Sequence, residues 1–339
     1  MNAGVAAWLQ RRWYGPTAPG ITLRALSVLY GAFVGLRRSA YRHGWLRVHR
    51  IGVPVIVIGN ITVGGSGKTP LAIALVEYLR LQGWSPGVVS RGYGRRSRGQ
   101  HVVHAETAPQ DGGDEPVLIA RRCGVPVVVD ADRVAAAQAL RGQGCDVIVA
   151  DDGLQHYRLH RDIEIEVGDG VRGYGNGRLL PAGPLREPVV RAQDCDYHVD
   201  NGGTAVAAGA DRYSMQLRGT ELLGLDGVRR QPLQALAGRR VHAVAGIGDP
   251  PRFFAMLRQA GIELVEHPFA DHHSYRAQDF AFVEALPIVM TEKDQVKCSA
   301  FALTDAWMLP VRAEVPDAFF AALLERLAAI VVSREVASV

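Results

Sequence analysis

From Val55 to Pro70 the chain reads Val-Ile-Val-Ile-Gly-Asn-Ile-Thr-Val-Gly-Gly-Ser-Gly-Lys-Thr-Pro, an apolar run, a glycine-rich turn and a Gly-Lys-Thr triplet. This order leaves few folds open. The apolar run reads as a buried strand over 54–58, and Leu71, Ala74, Leu75, Tyr78 and Leu79 continue as one helical face toward Gly83. A strand, a glycine turn and a helix mouth make a P-loop, in which backbone N–H groups of Thr62, Val63, Gly64, Gly65, Ser66 and Gly67 surround phosphates. Lys68 then reaches the β/γ oxygens and the Thr69 hydroxyl takes Mg²⁺. Thr62 stands where the general G-x-x-x-x-G-K-[ST] pattern has its first glycine. The chain has only three lysines, Lys68, Lys293 and Lys297, among 38 basic residues. A lysine at 68 in so arginine-rich a chain fits a need for a slim ammonium among phosphates.

Downstream, strands alternate with helices. Strands are expected over 86–90, 125–129, 146–150 and 163–167, with helices opening at 114 and 132. The pattern indicates an α/β fold of P-loop NTPase type, a mainly parallel sheet with helices on both faces. Ligands sit beyond the carboxyl ends of such strands, where Gly67, the 91–96 loop and Asp151 all fall. A Gly/Pro-rich loop over 173–188 reads as functional, and the Gly/Ala-rich stretch near 200–210 as a linker. A second, smaller α/β unit follows, with strands over 240–245, 262–266 and 288–290, a helix over 251–259 and a closing helix over 318–330. The expected domains are therefore 1–205 and 206–339.

Asp151 follows the apolar run 147–150, as a Walker B carboxylate does, and would orient Mg²⁺ opposite Thr69, with Asp152 beside it. An Asp-Gly turn is the plainer alternative. Asp114, directly after Gly112-Gly113, is a candidate base, and equally a helix cap. His272 is a second candidate from the later unit. Arg91, Arg95 and Arg96 occupy the ligand edge and could clamp a substrate phosphate, with Asn176 a further candidate substrate contact. Thr291-Glu292-Lys293-Asp294 is out of register with the guanine-reading N/T-K-x-D signature, which favours ATP over GTP. Cys123, Cys145, Cys195 and Cys298 are isolated, which argues against a disulfide framework or a zinc site and fits a reducing cytoplasm.

The net charge of +4 hides an asymmetry: residues 1–76 contain no Asp or Glu, while Arg11, Arg12, Arg24, Arg37, Arg38, Arg42, Arg47 and Arg50 crowd the first fifty. The apolar stretch 25–36 is shorter than the ~20 residues of a bilayer span, and no cleavage site of a secretory signal follows it. An apolar helix flanked by arginines, with aromatics nearby, suits the interface of an anionic leaflet, so residues 8–50 are expected to contact it. Packing on the body of the protein is the alternative. Nothing calls for a nucleic acid or an obligate protein partner.

Taken in order, 59–70, Ser90-Arg91-Gly92-Tyr93-Gly94-Arg95, Gly113-Asp114-Glu115-Pro116, Asp151-Asp152-Gly153-Leu154-Gln155-His156, 179–187 and 291–294 resemble the tetraacyldisaccharide 4'-kinase family, the lipid A 4'-kinases of Gram-negative bacteria. The resemblance covers nearly the whole chain and includes Thr62. It implies ATP- and Mg²⁺-dependent phosphorylation of the 4'-hydroxyl of a membrane-embedded tetraacyldisaccharide 1-phosphate at the cytoplasmic face of the inner membrane. It further implies Asp114 as general base supported by His272, and Lys68 and Thr69 on phosphates and Mg²⁺. Asp151, Asp152, Glu187 and Glu115 would lie around the metal, and two domains would close over the nucleotide. The alternative is a P-loop NTPase switch that serves as a membrane-targeting factor or metallochaperone.

Overall fold

The computed structural model describes residues 3–203, 211–299 and 301–337. Two helices, α1 (Ala3–Tyr14) and α2 (Ile21–Arg42), precede the sheet. The chain then runs β1 (Val55–Gly59), α3 (Lys68–Leu81), β2 (Pro86–Ser90), β3 (His101–Val103), α4 (Pro109–Gly112), α5 (Asp114–Cys123), β4 (Val127–Val129), α6 (Arg133–Gly142), β5 (Val147–Asp151) and β6 (Ile163–Asp169). Next come β7 (Tyr197–Asn201), β8 (Arg212–Arg218), β9 (Glu221–Gly224), β10 (Arg230–Pro232), β11 (Arg240–Ala245), α7 (Pro250–Gln259) and β12 (Glu263–Pro268). The chain ends through β13 (Ile288–Thr291), α8 (Glu292–Cys298), β14 (Ala306–Leu309), β15 (Arg312–Glu314) and α9 (Asp317–Ala337).

The strands form a nine-stranded sheet, β15-β8-β7-β6-β1-β5-β2-β4-β3, and a six-stranded sheet, β10-β9-β14-β13-β11-β12. In the large sheet every pairing from β8 to β4 is parallel, and only the edge strands β15 and β3 run against their neighbours. Central strands buried on both faces need apolar residues at every position. In β1, Ile56 and Ile58 face α3, α5 and α9, while Val55 and Val57 face α6. In α3, Leu71, Leu75 and Leu79 recur at helical spacing and are wholly buried, each contributing about 2 kcal/mol.

The second sheet has its own core, with Phe253, Phe254 and Leu257 of α7 on one face and Tyr275, Met290 and Cys298 on the other. The chain does not divide at 205 along its sheets. Strands β8 and β15 pair with each other at the edge of the large sheet, and Phe319, Leu323 and Leu327 of α9 join that sheet's core. The expected linker near 200–210 overlaps β7 at its start, and 204–210 lie outside the described residues. Strands β3, β7, β8, β9, β10, β14 and β15 had no sequence counterpart; five of them have only three or four residues at or near an edge, too few for a recognisable alternation.

Register brings the functional ends together. Ile58 lies beside Asp151, and Asp169 beside Asn201, so the carboxyl ends of β1, β5, β6 and β7 line one rim. Helix α2 buries only Ser27 and exposes Ile21, Leu26, Val28, Leu29, Phe33 and Leu36. Among the described residues no helix is long and apolar enough to cross a membrane.

Candidate active site

The loop after β1 is built on buried Asn60. Its Nδ2 donates to Thr62 Oγ1 (3.3 Å) and Ser66 Oγ (3.2 Å), and its Oδ1 accepts from Lys68 Nζ (3.3 Å). Gly67 has φ 95°, a left-handed conformation that lets α3 begin at Lys68. Thr62 is buried as part of this scaffold, and the Val63 N–H donates to the Pro184 carbonyl (2.8 Å). The loop's free N–H groups are therefore expected from Gly64 onward. Thr69, in the first turn of α3, is buried at the same mouth.

Asp151 and Asp152 close β5 in opposite states. Both oxygens of Asp151 are buried without a hydrogen-bond partner. Burial first, then the neighbouring Glu115 and Asp152 charges, push its carboxyl up to about 7. Burial also works against ionised Asp152, but Lys68 (3.6 Å) and Arg186 (3.0 Å) outweigh it and hold that carboxyl at about 2. Asp152 sits at φ 48°, in the strained left-handed region. A buried carboxylate with two orphaned oxygens at the end of β5 suits a divalent cation. Among the described residues no three His, Cys, Asp or Glu side chains could hold an ion by themselves. Mg²⁺ fits here with its remaining ligands drawn from phosphate oxygens and water.

Glu187 does not face such an ion. It is buried, one oxygen accepts from Gln155 Nε2 (2.9 Å) and the other from the Tyr157 hydroxyl. It stands behind Gln155, whose Nε2 also donates to the Asn60 carbonyl (3.0 Å) and whose Oε1 accepts from Arg186 (3.3 Å).

The third part comes from both sheets. Gly113 at φ 88° caps α5 and leaves Asp114 as its first residue, so Asp114 is not the cap. Asp114 is buried, with its oxygens 3.0 and 2.9 Å from His272 Nδ1. Burial disfavours its charge, yet the His272 hydrogen bond and the Lys293 ammonium at 3.9 Å hold the carboxyl at about 2. Burial likewise disfavours His272⁺, and Asp114 overrides this to raise the imidazole above its ordinary value. The Tyr93 ring packs on His272 (4.7 Å between centroids). His273 turns away to Asp279 (3.0 Å).

Lys293 also donates to Glu115 (2.8 Å) and Asp271 (3.0 Å), so one ammonium joins α5 to the second sheet. Glu115 is thus paired with Lys293, at electrostatic range of Asp151. In the same segment Thr291 caps α8 and Asp294 accepts the Gly246 N–H (2.9 Å), which is scaffolding rather than base reading.

Of the arginines singled out by position, Arg91 and Arg96 are exposed on the loop after β2. Arg95 is spent on that loop, donating to the Gly99 carbonyl (2.6 Å) and Ser97 Oγ (3.3 Å). Asn176 is not available to a substrate. Its Nδ2 donates to the Arg12 and Ala182 carbonyls and its Oδ1 accepts from Arg178 N–H, so it ties down α1. Sequence reasoning missed Asn60, Gln155, Arg186 and the buried Arg133, whose charge acts on Asp151 and Asp152. Lys293 had left a signal together with Lys297, as the two lysines besides Lys68.

The model of the family Tetraacyldisaccharide-1-P 4'-kinase matches residues 20–328. A Tetraacyldisaccharide 4'-kinase of Xanthomonas axonopodis pv. citri (strain 306) is 57% identical over 327 residues, covering 93% of this chain and 94% of the relative. One of Stenotrophomonas maltophilia (strain R551-3) is 56% identical over 322 residues, covering 93% and 95%. The crystal structure of LpxK from Aquifex aeolicus in complex with ATP superposes with a TM-score of 0.76 at 31% identity, covering 90% of this chain and 98% of that one.

Proposed function

The chain belongs to the tetraacyldisaccharide-1-P 4'-kinase family, and from that premise we propose how its residues carry out ATP-dependent phosphorylation of the 4'-hydroxyl of tetraacyldisaccharide 1-phosphate in lipid A biosynthesis. The backbone N–H groups from Gly64 to Gly67 and the Lys68 ammonium bind the β- and γ-phosphates. Thr69 and Asp151 would hold Mg²⁺, with Asp152 acting through Lys68 and Arg186, and the ion would supply charge neutralisation at the transferred phosphoryl group.

Asp114 accepts the proton of the attacking hydroxyl. The observation that carries the kinase reading is this carboxylate, buried and kept ionised by His272 and Lys293 from the second sheet. A hydrolytic switch has no need of a base aimed at an acceptor alcohol. A sugar hydroxyl is a weak acid, so alignment and charge neutralisation supply most of the rate and base assistance adds about 10²–10⁴-fold. Because His272 and Lys293 arrive from the other sheet, approach of the two units completes the site. Arg91 and Arg96 are exposed on the loop whose Tyr93 packs on His272, which supports a role in holding the substrate's existing phosphate.

The exposed apolar stripe of α2, its flanking arginines and exposed Trp8 and Trp45 support a reading in which the N-terminal helices rest on an anionic membrane surface, the cytoplasmic face of the inner membrane. Each arginine near such a surface contributes about 1 kcal/mol.

Incubation with labelled ATP, Mg²⁺ and detergent-dispersed disaccharide 1-phosphate tests the reading. Label is expected on the lipid at the 4'-position. Hydrolysis that ignores the acceptor, with no labelled lipid, would favour a nucleotide switch instead.

A further inference from the structure

Two consecutive peptide planes at the tip of the phosphate loop are pinned by side chains outside it. Arg172 Nη2 donates to the Gly65 carbonyl (3.3 Å), and Asn201 Nδ2 to the Ser66 carbonyl (3.0 Å). In a trans peptide the C=O and the next N–H point in opposite directions. Anchoring these carbonyls outward turns the Ser66 and Gly67 N–H groups toward the concave side of the loop, where an anion sits. The loop's readiness for phosphate therefore depends on where Arg172 is held.

Arg172 is held from three sides. Its Nε donates to Asp169 Oδ2 (2.6 Å), and Asp169 also receives Arg252 of α7 (3.1 Å). Asp249, just before α7, lies 3.6 Å from Arg172 Nη2. The guanidinium packs over the Tyr14 ring at 5.1 Å. Tyr14 is the last residue of α1. Three contacts fasten that helix end to the 173–183 loop: Trp13 Nε1 to the Pro181 carbonyl (2.9 Å), Asn176 N–H to the Trp13 carbonyl (2.8 Å) and Asn176 Nδ2 to the Arg12 carbonyl (3.2 Å). The rest of α1 exposes Val5 and Trp8, with Arg12 stacked on Trp8 at 3.9 Å. One end of α1 thus faces outward with membrane-interface chemistry, and the other end rests on the arginine that shapes the phosphate loop.

We propose that Arg172 is a positioning residue for the phosphate loop, oriented through Tyr14 by α1, so that seating α1 on an anionic membrane tightens nucleotide binding. The proposal rests on the membrane reading of the N-terminal helices given above. Seating α1 adds an outside restraint to the helix end that carries Tyr14, so less residual motion of the ring and of Arg172 is left to be lost when phosphate binds. That smaller loss appears as higher affinity.

The test is titration of the full chain with a fluorescent ATP analogue and Mg²⁺, with and without phosphatidylglycerol vesicles, alongside vesicle co-sedimentation. Wild-type affinity is expected to tighten about three- to tenfold on vesicles. Tyr14→Phe, which keeps the ring face, retains the response. Tyr14→Ala co-sediments as wild type does but loses the response, and Arg172→Met binds nucleotide more weakly in both conditions. A Tyr14→Ala chain that still tightens on vesicles overturns the proposal, as does a wild-type chain that co-sediments without tightening. A wild-type chain that fails to co-sediment overturns the membrane reading and this proposal with it. Phosphate transfer to the lipid plays no part in these readouts, so the kinase reading is judged separately.

Discussion

Asp114 and His272 are neutralised as a pair, and each contributes in its own pH range. The Asp114 carboxyl lies below its ordinary 3.8, so its contribution to stability is present above that value and is lost as pH falls toward about 2. His272 lies above its ordinary 6.5, so its contribution is complete below 6.5 and lost as pH rises through the raised value. His272→Gln is accordingly expected to lower the thermal midpoint most below pH 6.5, with the gap to wild type closing in alkali. Asp114→Asn keeps the shape and removes the proposed base; kcat should fall by ~10² or more while ATP affinity stays close to wild type. A near-normal kcat would remove Asp114 as base. Asp151 behaves in the opposite sense. Its carboxyl is raised to about 7, so protons would compete near neutrality with a Mg²⁺ held there as proposed. Mg²⁺–ADP affinity should strengthen between pH 6 and pH 8 in wild type and show no such rise in Asp151→Asn, as read by calorimetric titration.

The N-terminal helices touch the rest of the protein mainly through polar anchors. Ser27 Oγ donates to the Leu179 carbonyl (2.8 Å), Tyr30 to the Arg186 carbonyl (3.0 Å) and Arg37 to the Gln155 carbonyl (3.0 Å). These contacts hold one face of α2 and leave its apolar stripe outward. Leu29→Glu with Phe33→Glu changes only exposed positions (68% and 65% exposed). The folded state should tolerate both, and each charge in the stripe opposes burial in the interface. Co-sedimentation with anionic vesicles should drop several-fold while melting is unchanged; undiminished binding would place the membrane contact elsewhere. The helix was legible as an apolar stretch between arginines. Its anchors were not, because their partners lie more than a hundred residues away in sequence.

For the whole molecule, the two sheets meet across Lys293, which is half-buried and enclosed by the carboxylates of Glu115, Asp114 and Asp271. Burial opposes its charge and the three carboxylates more than restore it, raising the ammonium above its ordinary value. Removing one member of a buried charged cluster leaves the others uncompensated. Lys293→Met is expected to lower kcat at least tenfold by misplacing Asp114 and His272 relative to each other. Hydrogen exchange should quicken in α5 and in the 271–276 loop together. Faster exchange in one of them alone would show that Lys293 does not join the two units.

Local order carries a limited set of facts about this protein, and carries them firmly. The strand, turn and helix around Lys68, the carboxylate at the end of β5 and Asp114 at the head of α5 are each set by neighbours a few residues apart, so their types and spacing reveal them. The support of Asp114 by His272 was implied by the family resemblance; the geometry shows the contact, while the neighbouring His273 is occupied by Asp279. Tertiary structure alone decided that Glu187 serves Gln155, that Asn176 anchors α1 and that Lys293 bridges two sheets. It also decided that β8, β15 and α9 belong to the first sheet. Each of these depends on which unpaired donor, acceptor or apolar face a distant segment brings near, and one-dimensional spacing does not encode that proximity.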